Sequence, residues 1–233
     1  MIKNSENLLN FVLQNDLQVF KIADLVPFLE ITKVYSYIKT LKKSNKLVKI
    51  KNGLYSLKTA DDFEVATRII EPSYISFLSA FNYYGLIDQF PRRITLASTS
   101  KVKNSKLLSA TMTKRLFFGY ELVNGFCMAT LEKAILDSLY LPRYSGGIKN
   151  IISVIKNSKD IINYPKLISF LKKFNSRVLE KRVAFIFKKL NISVDIPIDL
   201  NSGYEFFDPT FKEDLKTKKD FKLLVRGDFY DWA

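Results

Sequence analysis

The sequence predicts an α+β protein in two parts, on three observations. Apolar residues recur at helical spacing three times in succession before residue 45. An alternating run, "LVKIKNGLYSL", follows and is broken by Asn52-Gly53. Beyond residue 60, stretches of helical and strand periodicity alternate as far as the C-terminal tail. With 233 residues, 47% hydrophobic and 14% aromatic, the chain is long and apolar enough for one or two packed domains.

The first element is a helix. Leu8, Leu9, Val12 and Leu13 share a face, and Ser5 is its expected N-cap. Ile22, Leu25, Val26 and Leu29 repeat the spacing around Pro27, so the second helix is expected to be short or bent. Thr32 is the expected cap of a third helix. At about 100° per residue its Val34, Ile38 and Leu41 form a buried stripe, with Thr32, Ser36, Lys39, Thr40 and Lys43 opposite. "LVKIKNGLYSL" then reads as a hairpin whose two turn residues, Asn52 and Gly53, both take positive φ. Three short helices and a hairpin are the order of a winged helix-turn-helix.

In that architecture the third helix enters a major groove and the hairpin lies on phosphate or an adjacent groove. The candidate DNA-binding residues are Thr32, Lys33, Ser36, Lys39, Thr40, Lys43, Lys49 and Lys51. The competing reading is a solvated lysine face. A solvated face mixes signs, and no acidic residue occurs from Ile31 to Thr59. The polar, acidic stretch "KTADDFE" follows. It is the expected boundary between a DNA-binding domain at residues 1–60 and a mixed α/β domain at residues 61–233.

The second domain begins with a helical pattern at residues 61–70 and another at "SYISFLSAFNYYG", ending at Gly85. "RRITLAST", "RLFFGYEL" and "FCMA" are strand-like. Thr130 is the expected cap of "LEKAILDSLYL", whose Leu131, Ala134, Ile135 and Leu139 make an apolar face. Pro142 and "SGG" stop it. "IKNIISVIKN", "PKLISFLKKF" and "SRVLEKRVAFIFKKL" are amphipathic helices, and the tail at residues 204–232 suggests short strands and loops.

Composition narrows the chemistry. There is no histidine, so a Ser-His-Asp triad, a Cys-His pair and His-ligated zinc are excluded. Cys127 is the single cysteine and fits a reducing compartment. No apolar run reaches a membrane span and the N-terminus lacks signal-peptide order, so a cytoplasmic protein is expected. The net charge is +14 and the pI about 9.6. Residues 1–60 carry ten basic and four acidic side chains, and residues 144–233 carry seventeen and eleven. Such a field attracts polyanions. A Lys- and Asn-rich composition from an AT-rich genome accounts for the same total, so the placement of the charge decides.

Asp88, Glu132, Lys133 and Asp137 are the catalytic candidates of the second domain. Glu132 and Asp137 are five residues apart and fall on different helix faces, a poor carboxylate pair. Glu132 then serves the positive end of its helix and Asp137 pairs locally. No Walker-type or dinucleotide glycine motif occurs, and Ser145-Gly146-Gly147 reads as a loop or helix entry. Tyr83-Tyr84 and Phe117-Phe118 read as core. Arg92, Arg93, Arg143, Lys181 and Lys188 form a candidate second surface for an anionic partner. No cofactor and no metal site is expected.

Several stretches resemble the AbiEi family of antitoxins. These are Gly53-Leu54-Tyr55 at the end of the hairpin, then Tyr74-Ile75-Ser76, Ser79-Ala80, Gly85-Leu86 and Gln89-Phe90-Pro91, and Glu132 to Asp137, "EKAILD". The resemblance covers most of residues 15–145, with only "FKLLVRGD" matching loosely beyond. It implies a DNA-binding antitoxin and autorepressor. Such a protein binds inverted repeats in its own promoter and counters a cognate nucleotidyltransferase toxin in phage abortive infection, without enzymatic activity of its own. The residues alone support the DNA-binding half. They leave open an ordinary winged-helix transcription factor with a ligand-sensing or assembly domain and, third, a DNA-processing nuclease.

Overall fold

A computed structural model describes residues 2–88, 90–210 and 213–230 of the chain. Gln89, quoted for the resemblance, and residues 211, 212 and 231–233 of the tail lie outside the described residues. The protein is α+β. It divides into two compact units: Met1–Ser73 with Asn124–Phe126, and Tyr74–Val123 with Cys127–Ala233.

In the first unit, α1 (Ser5–Gln14) is followed by β1 (Val19–Lys21), α2 (Ile22–Leu25) and α3 (Ile31–Lys43). Then come β2 (Leu47–Lys51), β3 (Leu54–Leu57) and α4 (Asp62–Ile69). The sheet order is β1-β3-β2, antiparallel throughout, with Val19 opposite Ser56 and Leu47 opposite Leu57. The apolar stripes of α1, α2 and α3 meet over this sheet in one core that includes Leu8, Leu25, Val34, Ile38 and Leu41. The second helix is a single turn, and the chain leaves it through Val26 and Pro27.

Four expectations are corrected here. Asn4, not Ser5, caps α1, its side chain accepting from the Asn7 N–H at 2.8 Å. Glu30, not Thr32, is the N-cap residue of α3, without a side-chain cap bond. In the hairpin turn only Gly53 takes positive φ, and the ladder shifts register between Lys49 and Lys51. The expected boundary at residue 60 falls inside the first unit. Asp61 accepts from the Phe63 N–H at 2.7 Å and starts α4, Lys51 donates to the Ile69 carbonyl at 2.7 Å, and Lys21 pairs with Glu71 at 2.9 Å. The acidic run is the N-terminus of the helix expected at residues 61–70, and that helix belongs to the first unit.

The second unit carries a five-stranded sheet in the order β6-β5-β4-β8-β7. Its strands are β4 (Ser73–Ile75), β5 (Ile94–Ser98), β6 (Leu107–Thr111), β7 (Tyr120–Val123) and β8 (Phe126–Ala129). β5 pairs parallel with β6, and β4 parallel with β8. The stretch expected to be one helix from residue 73 is β4 followed by α5 (Phe77–Tyr83). Of "RLFFGYEL", only the second half is strand.

Four further helices are α6 (Leu131–Tyr140), α7 (Ile148–Ser158), α8 (Tyr164–Phe174) and α9 (Arg177–Lys189). α5, α7, α8 and α9 all pack on α6, and every residue of α6 from Leu131 to Leu139 is buried. A helix enclosed on all sides must satisfy its polar side chains inside the protein. The tail forms a small sheet in the order β10-β11-β9, from β9 (Glu205–Phe206), β10 (Leu215–Lys218) and β11 (Leu223–Arg226), ending in α10 (Gly227–Tyr230). Buried Arg182 of α9 donates to the Leu139 carbonyl at 2.7 Å and the Phe206 carbonyl at 2.9 Å, and burial lowers its pKa to about 10.

Candidate nucleic-acid interface

α3 is amphipathic in the way its sequence dictates. Val34, Ile38 and Leu41 are 0, 2 and 3% exposed, while Thr32, Lys33, Ser36, Lys39, Thr40 and Lys43 are all exposed. Lys42 and Lys43 sit in the last turn, where cations complement the helix dipole. Among the described residues, the heads of Lys39, Lys43 and Lys49 make no ion pair or hydrogen bond. Three of the other candidates are engaged. Lys33 pairs with Glu30 at 3.0 Å, Thr40 donates to the Ser36 carbonyl at 3.2 Å, and Lys51 binds the last turn of α4. The strongest free set is therefore Thr32, Ser36, Lys39 and Lys43 on α3 with Lys49 on β2.

A groove of the first unit adds residues that the spacing argument missed. Tyr35, Ile38, Lys39, Lys42, Lys43 and Tyr55 line it. On the helical wheel Tyr35 and Lys42 lie at the edge of the buried stripe, on the flank toward Lys39. Their meeting with Tyr55 of β3 depends on tertiary packing and has no signal in helical periodicity. The groove has three ammonium groups and no carboxylate among its lining residues.

The second candidate surface is only partly assembled. Arg92 and Arg93 are exposed ahead of β5, and exposed Arg143 lies over the Tyr144 ring at 4.8 Å. Lys181 is wrongly placed by the sequence reading. It is 0% exposed and its ammonium donates to the Gly203 carbonyl at 2.7 Å, so it has no surface charge to offer. Lys188 is exposed above the Phe221 ring at 5.5 Å. It lines a groove with Lys189, Asp220 and Lys218, the last of which the sequence did not single out. Arg92, Arg93 and Arg143 take no part in that lining.

The catalytic candidates of the second unit do not converge. Asp88 is exposed beyond α5. Glu132 accepts from the Asn163 N–H at 3.0 Å and lies 3.5 Å from the Lys166 ammonium. Asp137 forms a sealed cluster instead. It pairs with Lys133 one turn earlier and accepts from the Ser76 hydroxyl at 2.8 Å and the Tyr74 hydroxyl at 3.1 Å. Lys133 also donates to the Tyr74 hydroxyl at 2.8 Å and faces the rings of Tyr74, Phe118 and Phe174 at 4.7 to 5.1 Å. All four polar residues are 0% exposed.

Burial pushes the Asp137 carboxyl above its ordinary range and the Lys133 ammonium below its own, each opposed by the pull of the other. Burial, then the Asp137 charge, raises the Tyr74 phenol well above the usual value. Two stretches quoted for the AbiEi resemblance, Tyr74-Ile75-Ser76 and Glu132 to Asp137, meet in this cluster. Each side-chain nitrogen and oxygen in it has a hydrogen-bond partner inside the protein. Among the described residues, no group of three or more His, Cys, Asp or Glu side chains is arranged to hold a metal ion, and no helix is long and apolar enough to cross a membrane. Tyr83, expected in the core, is 41% exposed, and its neighbour Tyr84 donates to the Ala129 carbonyl at 2.8 Å.

The chain shares its fold with a solved structure. This is the RV2827C protein from Mycobacterium tuberculosis, with a TM-score of 0.65 and 11% identity over 94% of this chain and 89% of that one. At that identity the likeness speaks for the fold alone. No family model matches the sequence, and no curated protein does.

Proposed function

We propose that the first unit is a winged helix-turn-helix and that the chain is a DNA-binding antitoxin and autorepressor without enzymatic activity. One observation carries the DNA-binding half. The face of α3 opposite its buried stripe holds Thr32, Ser36, Lys39 and Lys43, and no carboxylate lies anywhere from Ile31 to Thr59. A helix of this kind fits the major groove, with hydroxyls and ammonium groups reaching bases and phosphates. In this reading α2, the turn at Pro27 and α3 are the helix-turn-helix. The β2–β3 hairpin is the wing, and it adds Lys49.

The antitoxin half rests on the resemblance to the AbiEi family. The second unit then counters a cognate nucleotidyltransferase toxin in the cytoplasm. The scattered carboxylates and the burial of the Lys133–Asp137 cluster support the reading without enzymatic activity. Two assays test the proposal. In the first, fluorescence anisotropy compares duplex from upstream of the chain's own gene with a shuffled duplex. Lys39→Ala and Lys43→Ala should weaken both and flatten the salt slope by about one unit for each phosphate left without its ammonium. Ser36→Ala should relax the preference by roughly 1–3 kcal/mol. In the second, co-expression with the adjacent gene product is scored for growth rescue. Equal affinity for the two duplexes removes the repressor reading, and absence of rescue removes the antitoxin reading.

A further inference from the structure

The groove beside α3 contains a hydroxyl that the fold leaves unsatisfied. Tyr55 sits in β3, the middle strand of its sheet, and is 7% exposed, its ring stacked on Phe20 at 6.2 Å. The Tyr55 hydroxyl makes no hydrogen bond among the described residues, although the residue as a whole is nearly buried. Tyr37 of α3 shows the ordinary behaviour, donating its hydroxyl to the Lys3 carbonyl at 2.7 Å. The fully buried side-chain polar atoms without a partner, among the described residues, are Thr130 Oγ1 and Arg182 Nε. Tyr55 is not among them, so its hydroxyl keeps access to the groove it lines.

The surroundings select the ligand. Lys39, Lys42 and Lys43 share the groove with Tyr55, and an ammonium group donates hydrogen bonds but accepts none. Exposed Tyr35 adds a second hydroxyl with no partner among the described residues. Three ammonium groups and two tyrosine hydroxyls meet here with no carboxylate, so an anion rich in acceptor oxygens completes the site. Lysines act as point charges rather than bidentate base readers, which favours phosphate over a base edge.

We infer that this groove seats one backbone phosphate of a bound duplex, with the Tyr55 hydroxyl as its near-buried donor and Lys39, Lys42 and Lys43 as its charges. This rests on the reading of the first unit as a DNA-binding unit. The phosphate fixes the register of α3 against the duplex, so Tyr55 positions the reader and reads no base itself.

The test pairs Tyr55→Phe with chemically altered DNA, using the full chain. Phenylalanine keeps the ring on Phe20 and removes an oxygen with no protein partner, so the melting temperature should not change. Loss of a hydrogen bond to a charged oxygen should weaken upstream and shuffled duplexes alike, by roughly tenfold. Neutral methylphosphonate is then placed at one phosphate at a time. At one position the wild type should lose affinity while Tyr55→Phe loses nothing further. Equal binding by Tyr55→Phe and wild type, or losses that multiply at every position, overturns the seat. If the wild type binds no duplex at all, the DNA-binding reading fails and the seat with it. Inorganic phosphate is compared with chloride at equal ionic strength. Competition peculiar to phosphate and to the wild type supports the seat, whereas phosphate that raises the melting temperature of the wild type but not of Tyr55→Phe, with duplex affinity equal in both, assigns the groove to free phosphate instead of duplex.

Discussion

Replacing Lys133 by methionine tests what the centre of the second unit does. Lys133 is 0% exposed and its ammonium lies among three aromatic rings, so an unbranched apolar side chain fills the same space. What disappears is the cation. Asp137 keeps the hydroxyls of Tyr74 and Ser76 and loses its counter-charge. Breaking a buried pair from one side costs about 3–5 kcal/mol. For a unit of this size each kcal/mol moves the melting temperature by roughly 2–4 °C, which gives a fall of about 6–20 °C. Differential scanning calorimetry, which resolves the transitions of two units, is the measurement.

The pH dependence supplies the sharper check. Burial already holds Asp137 above its ordinary value, against the pull of Lys133, and removing Lys133 lets it rise further. A group whose folded pKa exceeds its unfolded value of 3.8 contributes stability that is complete below 3.8 and is lost as pH rises through the folded pKa. The gap between wild type and Lys133→Met should therefore be narrower near about pH 5 than near about pH 8. Adding Asp137→Asn keeps an acceptor for the two hydroxyls and removes the stranded charge, so the double variant should be more stable than Lys133→Met alone. A gap that widens toward acid, or a double variant that melts lower than the single one, refutes this account of the cluster.

What the sequence discloses and what it hides follow from the range of each interaction. The stripe Val34, Ile38, Leu41 and the hairpin around Gly53 are set by neighbours within one turn or one ladder, and both are legible. β1 is not. It has three residues, and it is a strand because Val19 and Lys21 find Ser56 and Leu54 more than thirty positions away. The acidic run at Asp61 reads by its polarity as a domain boundary, while an aspartate ahead of an apolar pattern is also a cap; the contacts of Lys21 with Glu71 and of Lys51 with Ile69, which tie the end of α4 to the first unit, have no signal in local sequence. α6 is legible as a helix with one apolar face, but it is buried on all sides. Its lysine and aspartate are legible as an i,i+4 pair, while their partners Tyr74 and Ser76 lie about sixty residues upstream. Lys181 misleads for the same reason. Its charge suggests surface, and only the fold brings the Gly203 carbonyl to it. The candidate interface divides likewise, since Lys39 and Lys43 are visible on a helical wheel while Tyr55 joins them from a strand.

Two glycines separate backbone strain from space. Gly119, at φ +70°, has no room: an added Cβ meets the Phe170 ring at 2.7 Å and the Lys133 Cβ at 3.2 Å. Gly119→Ala should combine a left-handed penalty of about 1–2 kcal/mol with overpacking of about 1–3 kcal/mol, read as a lower melting temperature of the second unit. Gly53, at φ +76°, has nothing within 4 Å of an added Cβ, so Gly53→Ala should bring only the conformational penalty, about 1–2 kcal/mol. Its consequence is local. The turn that presents Lys49 relaxes while Leu8, Leu25 and Val34 stay packed, so the unit remains folded and duplex affinity falls for all sequences alike. Unchanged affinity in a folded Gly53→Ala protein places the hairpin outside the DNA footprint. Loss of the fold shows instead that the hairpin turn holds the core of the first unit together.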